Sequence, residues 1–386
     1  MDRRIALVAS SFDPHTGGVE EHVRHVARVL AARGHHVVVW TVDRGEHLGA
    51  RDMDGFEVRY LPTPLPARSL RALLTFGTRL PAAVMSWVGA YLSFRPEILH
   101  VHCFGPNGVY ALALSRLTGT PLVVSGHGET FMDDDRVFEK SALLRRALRL
   151  AGRRAAAVTA CSTMVAEALE TGFGTQHPHV VPNGVELDAR AERAPQDPPT
   201  WWPLSTVVVG AVGRIEQVKG FDLLVRAFAS VRRPGEHLVI AGDGAALPRL
   251  AALVEELDAA EAVVLPGRIS RPEVAWLMEH STVVVVPSRV EAFGIVALEA
   301  WRGGSPLLLT ENSGARDVVT DGVDAFLVDP TDLTALGAAI RRVVDDPDTS
   351  SVVARNGHMS VQAYSWERVC DDYIAIYDVV LPKAPQ

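Results

Sequence analysis

Short runs of β-branched and other apolar residues alternate along the chain with stretches whose apolar positions recur every three to four residues. The first run is 5–10; Val19, Val23, Val26, Ala27 and Leu30 then mark one face of a helix that Gly34 ends, and 37–42 is the next run. Runs of this kind predict buried parallel strands, and the spacing between them predicts amphipathic helices. Strand, glycine loop, helix, strand opens a doubly wound domain. Further strands are expected at 98–102, 122–125 and 158–160, with a helical region over 70–94 and a helix that Ser162 caps. The pattern lapses over a stretch rich in Pro, Asp and Ala that leads to Trp202-Pro203 and reads as linker and turn. It resumes with strands at 206–212, 238–241, 263–265, 282–286 and 307–310, a helix over 221–231 and a last helix over 366–381.

A length of 386 residues is large for one core, which also favours two domains. Hydrophobic residues at 48% and charged ones at 22% are ordinary for a globular protein, and a net charge of −8 argues against a general nucleic-acid binder. Cys103, Cys161 and Cys370 are far apart and fit neither metal spacing nor a disulfide framework, so a reducing cytoplasm is the expected setting. The chain runs straight into a strand pattern, so no signal peptide is expected. No apolar run reaches the ~18 residues of a membrane span; 80–94 comes nearest and contains Pro81 and Ser86.

The chemistry concentrates in Pro287-Ser288-Arg289-Val290-Glu291-Ala292-Phe293-Gly294-Ile295-Val296-Ala297-Leu298-Glu299. Pro287 and Ser288 end a strand, and Gly294 opens an apolar helix. On one helix the two glutamates would stand about 80° apart, after eight steps of about 100°. With Glu291 in the loop and Glu299 a turn inside the helix, both can face one ligand. Between them lies a helix amino terminus, which offers backbone N–H groups to an anion. Hydroxyls at both ends and phosphates in the middle describe a nucleotide sugar. Gly213-Arg214-Ile215-Glu216-Gln217-Val218-Lys219-Gly220 sets an arginine and a lysine on one loop after a strand, a bidentate fork and a mobile point charge for the phosphates.

Glu-x7-Glu after a strand and Pro-Ser, with Phe-Gly and Ala-Leu-Glu-Ala around it, closely resembles the signature of the family 4 retaining glycosyltransferases of the GT-B fold. Gly-Arg-x4-Lys-Gly strengthens the resemblance, which covers nearly the whole chain. It implies an α/β fold of two doubly wound Rossmann-like domains facing a central cleft. Residues 1–184 would form the acceptor-binding domain, joined by a returning helix at about 363–386, and 185–362 the nucleotide-sugar domain. It implies that Glu299 holds the ribose hydroxyls, that Arg214 and Lys219 hold the diphosphate without metal, helped by the backbone at Gly294 and Ile295 beside Phe293, and that Glu291 orients the sugar. His127 in Gly126-His127-Gly128-Glu129 is similar to the family's donor-site histidine. Gly17 and Gly18 resemble a paired glycine that faces the donor phosphates, although a tight turn needing glycine explains them as well. Gly242 is similar to an element bordering the nucleotide, and the backbone at Arg268 and Ile269 to one that meets the base; turn chemistry alone would explain these glycines.

His102 and Asn107 lie near a strand's carboxyl end and are candidate acceptor contacts. The run Asp133-Asp134-Asp135 lies just before a helix and reads as a polar loop or helix start, with no metal expected there. Arg145, Arg146, Arg149 and Arg153 oppose an apolar stripe at Leu143, Leu144, Ala147, Leu148 and Ala151; a packed helix with a solvated basic face is favoured over peripheral membrane contact. The expected activity is retaining, metal-independent transfer of a hexose-type sugar from a nucleoside diphosphate sugar, as co-substrate rather than cofactor, to a hydroxyl acceptor. Two alternatives stay open: another GT-B chemistry, such as an epimerase or phosphorylase, and a non-catalytic nucleotide-sugar-binding protein.

Overall fold

The computed structural model describes residues 2–66, 69–132, 137–187 and 194–381. The chain divides into two compact units, unit 1 comprising Met1–Asn183 and Trp366–Gln386, and unit 2 comprising Gly184–Ser365.

Unit 1 is built on β1 (Arg4–Ala9), β2 (His36–Val42), β3 (Ala50–Met53), β4 (Phe56–Leu61), β5 (Ile98–His102), β6 (Leu122–Gly126), β7 (Ala157–Ala160) and β8 (His179–Val180), in the sheet order β3-β4-β2-β1-β5-β6-β7-β8. All neighbours are parallel except β3 and β4. Residues 5–9 of β1 are fully buried, as a central strand covered on both faces must be. The strand order reverses beside β1, between the β2 side and β5, so the carboxyl ends of β1 and β5 border the crevice where open α/β sheets take ligands. The helix Trp366–Val380 returns to this unit against the helix Gly18–Ala32. Arg33 Nη1 bonds Asp371 Oδ1 at 2.6 Å, and Tyr373 and Tyr377 are buried.

Unit 2 has a wholly parallel sheet of β9 (Val207–Val212), β10 (Glu236–Ala241), β11 (Val263–Gly267), β12 (Val283–Val286), β13 (Leu307–Thr310) and β14 (Phe326–Val328), ordered β11-β10-β9-β12-β13-β14. This is the doubly wound order, with its switch point between β9 and β12. Val209, Leu238, Val283 and Leu308 from the sheet pack with Leu224 and Phe228 of the helix Phe221–Val231 in one apolar core.

Both sheets are doubly wound, as expected from the alternation of strand and helix patterns. The structure adds the β3–β4 hairpin, whose first strand reads Ala-Arg-Asp-Met and shows no apolar run because it is a largely exposed edge. It also shows a helix at Pro106–Thr118, directly after the short loop that follows β5. β11 runs on through Pro266 to Gly267, which an edge strand tolerates because the missing N–H need not pair. Among the described residues no helix is long and apolar enough to cross a membrane.

Candidate active site

In unit 2 the residues singled out by sequence gather at the carboxyl ends of β11, β10, β9 and β12. β9 ends at Val212, and Gly213, Arg214 and Ile215 lead through Glu216 into one 3-10 turn, Gln217–Lys219. Ile215 anchors this loop: it is buried, its N–H donates to Asp243 O at 2.8 Å, and its carbonyl accepts from Ala246 N at 2.9 Å. Gly242, in the next loop, passes so close that a Cβ there would lie 1.9 Å from Gly213 O. Only glycine allows that approach, so Gly242 is explained by packing against the loop that carries Arg214.

The turn bearing Lys219 is strapped to the segment bearing Glu291. Arg289 N donates to Val218 O at 2.8 Å, and the Arg289 guanidinium forks onto Asp222 at 2.8 and 2.7 Å. That fork holds the Asp222 carboxyl below its usual range against the opposing effect of burial. Glu291 is pinned through its backbone, its N–H to Asn312 O at 3.0 Å and its carbonyl to Gly314 N at 2.8 Å. Lys219 Nζ meets Glu291 Oε2 at 2.7 Å, and Ser288 Oγ donates to the same oxygen at 2.9 Å. With side chains 19% and 6% exposed, lysine and glutamate form a shielded pair. The sequence assigns one to phosphate and the other to sugar; the structure places them in contact.

Gly294 follows at φ 85° as the N-cap of the helix Ile295–Gly303, with no side-chain cap bond. Its missing Cβ would stand 3.1 Å from Glu291 Cγ. The first N–H groups of this helix are thus presented beside Glu291 with nothing from the cap covering them. Glu299 is half-buried on the fifth residue of the helix, and Phe293 is buried. Arg214 is exposed and its Nη1 pairs with Glu216 Oε1 at 2.8 Å, so it stands poised on the surface rather than locked into the Lys219–Glu291 pair. Arg268 is exposed and Ile269 half-buried just beyond β11.

In unit 1 the carboxyl ends of β5 and β6 bring histidines together. His102 Nδ1 lies 3.2 Å from His127 Nε2, and His22 from the helix Gly18–Ala32 packs on both rings. His100 is held at both nitrogens, by Tyr377 OH at 2.6 Å and Ser125 Oγ at 2.7 Å. Burial lowers His22 and His100 to about 3, and holds His102 and His127 well below the ordinary value, so the cluster is neutral at pH 7. Glu129 closes the two loops, accepting from His127 N at 2.7 Å and Phe104 N at 2.8 Å, while burial raises its pKa.

His102 and Asn107, expected as acceptor contacts, are fully buried. Asn107 Nδ2 donates to Val8 O and Cys103 O, tying the end of β1 to the loop after β5. Gly17 is extended, at φ 177°, and Gly18 begins the helix, so neither occupies a turn that requires glycine. Asp133-Asp134-Asp135 lies outside the described residues. Sequence reasoning missed Ser288, Asp222, Glu129 and His22; only His22, a polar residue inside an apolar stripe, leaves a local trace.

Residues 16–189 match the model of Glycosyltransferase Family 4, and residues 196–359 that of Glycosyl transferases group 1. The chain belongs to this glycosyltransferase family. Glycogen synthase of Mycobacterium tuberculosis is 28% identical over 97% of the chain and 94% of that protein. Among solved structures, sucrose-phosphate synthase from Thermosynechococcus elongatus superposes with a TM-score of 0.81 at 24% identity, over 97% and 98% of the two chains. An Anabaena protein, HepE, crystallised with UDP and glucose, gives a TM-score of 0.75 at 20% identity over 97% and 99%. The fold is therefore GT-B, and the activity is that of a group 1 glycosyltransferase.

Proposed function

We propose that this glycosyltransferase moves a hexose-type sugar from a nucleoside diphosphate sugar, UDP- or GDP-linked, to a hydroxyl acceptor, with retention at the anomeric carbon and without metal or resident cofactor. The observation that carries the reading is the Lys219–Glu291 pair at 2.7 Å beside the open amino end of the helix Ile295–Gly303. A departing diphosphate needs cations or oriented N–H groups, and a sugar losing it needs a nearby carboxylate. Lys219, Arg214 and the backbone at Gly294 and Ile295 take the diphosphate, Glu299 the ribose hydroxyls, and Glu291 and His127 the sugar. The UDP and glucose bound by the Anabaena relative support UDP among the donors. In the step proposed, the bond from C1 to the phosphate oxygen breaks, the acceptor oxygen bonds C1 on the same face, and the acceptor proton passes to a phosphate oxygen. Proton NMR of the product tests this: an inverted linkage, or a glycosyl-enzyme seen by mass spectrometry, overturns it. The three cysteines form no disulfide, which supports the cytoplasm as the setting.

Two expected results belong to this reading. EDTA should leave initial rates within about twofold, because lysine, arginine and helix N–H groups replace the metal. Loss of activity on chelation that magnesium restores would return attention to Asp133-Asp134-Asp135. Glu299→Gln should weaken binding of the free nucleoside diphosphate roughly ten- to a hundredfold, the charge-assisted bonds being worth about 1.5–3 kcal/mol. Calorimetry showing unchanged affinity would remove Glu299 from the ribose.

A further inference from the structure

The histidines of unit 1 differ in how their nitrogens are satisfied. His100 has partners at both, and so does His22, with Nδ1 at 2.8 Å from Asn183 Oδ1 and Nε2 at 2.9 Å from Tyr373 OH. His102 meets His127 through Nδ1, but its Nε2 is buried without a hydrogen-bond partner among the described residues. The 3.2 Å contact with His127 is thus the one hydrogen bond of the His102 ring among the described residues.

One nitrogen from each of His22, His102 and His127 lies within 4.8 Å of the other two. Tetrahedral zinc with Zn–N near 2.0–2.1 Å sets its nitrogens about 3.3 Å apart, and His102 Nδ1 and His127 Nε2 are separated by 3.2 Å. The Asn183 oxygen accepts the Nδ1 proton of His22 and leaves the lone pair on Nε2, the orientation that a carbonyl imposes on a metal-binding imidazole. Tyr373 OH is then displaced from Nε2. His127 is half-buried and gives the ion its way in. Three neutral imidazoles are a borderline-soft donor set that suits zinc better than magnesium or calcium.

We propose that His22, His102 and His127 form a zinc site, with water as the fourth ligand that zinc on three histidines takes. Binding stands independently of the functional roles given above. Its consequence does rest on them: an ion on the His127 ring removes that ring from the sugar, so zinc inhibits transfer.

The test is equilibrium dialysis of the chelator-stripped full chain against zinc chloride, with enzyme rates measured alongside. One zinc per chain is expected. His22→Gln and His102→Gln should bind at least tenfold more weakly, Asn183→Ala about 10–100-fold more weakly as a positioning residue, and the exposed His47→Ala like the wild type. A wild-type chain that holds no stoichiometric zinc at 100-fold molar excess (roughly, for sites weaker than those of structural zinc) overturns the proposal. So does zinc binding that neither His22→Gln nor His102→Gln changes, which would place the ion on surface histidines. Should those variants fail to fold, cobalt(II) on the wild type decides. Strong visible bands of a four-coordinate ion support the site, and the weak spectrum of a six-coordinate ion overturns it. Zinc bound as described with undiminished transfer would leave the site standing and remove His127 from the sugar.

Discussion

Glu291→Gln should lower kcat by about 100-fold or more while the nucleoside diphosphate binds as well as to the wild type, or more tightly. Lys219 is held by Glu291 at 2.7 Å, and both side chains are largely shielded. An incoming diphosphate must share the lysine with that carboxylate. Glutamine keeps the shape and the partnership with Ser288 but not the charge, so Lys219 becomes free to meet phosphate, and the buried cation left unpaired destabilises the ligand-free state. Nucleotide binding relieves that cost, so the rise in melting temperature on adding nucleotide should be larger in Glu291→Gln than in the wild type. The charge on the reacting sugar nevertheless loses its carboxylate, an electrostatic contribution of the order of 10²–10³ in rate. Lys219→Met should behave oppositely in binding, losing about ten- to a hundredfold in nucleotide affinity. Calorimetry and initial rates on both variants separate the cases. A loss of nucleotide affinity in Glu291→Gln as large as in Lys219→Met would show that Glu291 contacts the nucleotide itself.

Much of this arrangement was legible from periodicity and turn chemistry. The strands of both sheets that lie beside the switch points are covered on both faces and, apart from the two histidines of β5, read as near-continuous apolar runs, and they were found. β3 was missed because an exposed edge needs no such run, and β4 was missed although Phe56, Val58 and Tyr60 alternate as in a half-buried strand. Glu291 and Gly294 were placed as loop and helix start by Pro287, Ser288 and the glycine, which act locally. The contact between Lys219 and Glu291, 72 residues apart, was not legible. It depends on the Arg289–Asp222 fork and the backbone bond to Val218, none of which has a local signature. The same limit applies to unit 1. His102 looks like a ligand contact by its position at a strand end, yet its ring is enclosed by residues from elements distant in sequence, His22 and Tyr373 among them.

Gly220→Ala should destabilise unit 2 by about 3 kcal/mol or more and weaken nucleotide binding with it. Gly220 ends the turn that presents Lys219 and caps the helix Phe221–Val231, at φ 69°. Left-handed backbone costs a non-glycine residue roughly 1–2 kcal/mol. The larger obstacle is steric: a Cβ would lie 2.0 Å from Pro287 O and 3.0 Å from its carbonyl carbon. Backbone atoms cannot rotate away as a side chain would, so the turn must separate from Pro287-Ser288. That movement pulls Lys219 from Glu291 and strains the bond from Arg289 N to Val218 O. Gly235→Ala is the control, since Gly235 also has a positive φ, 83°, but nothing lies within 4 Å of its Cβ position. It should show the conformational cost alone, about 1–2 kcal/mol, with nucleotide affinity unchanged. Urea unfolding of the two variants, followed by calorimetry with the nucleoside diphosphate, measures the difference. Equal losses of stability and equal nucleotide affinities in the two variants would mean that the Pro287 carbonyl yields, and that the strap does not position Lys219.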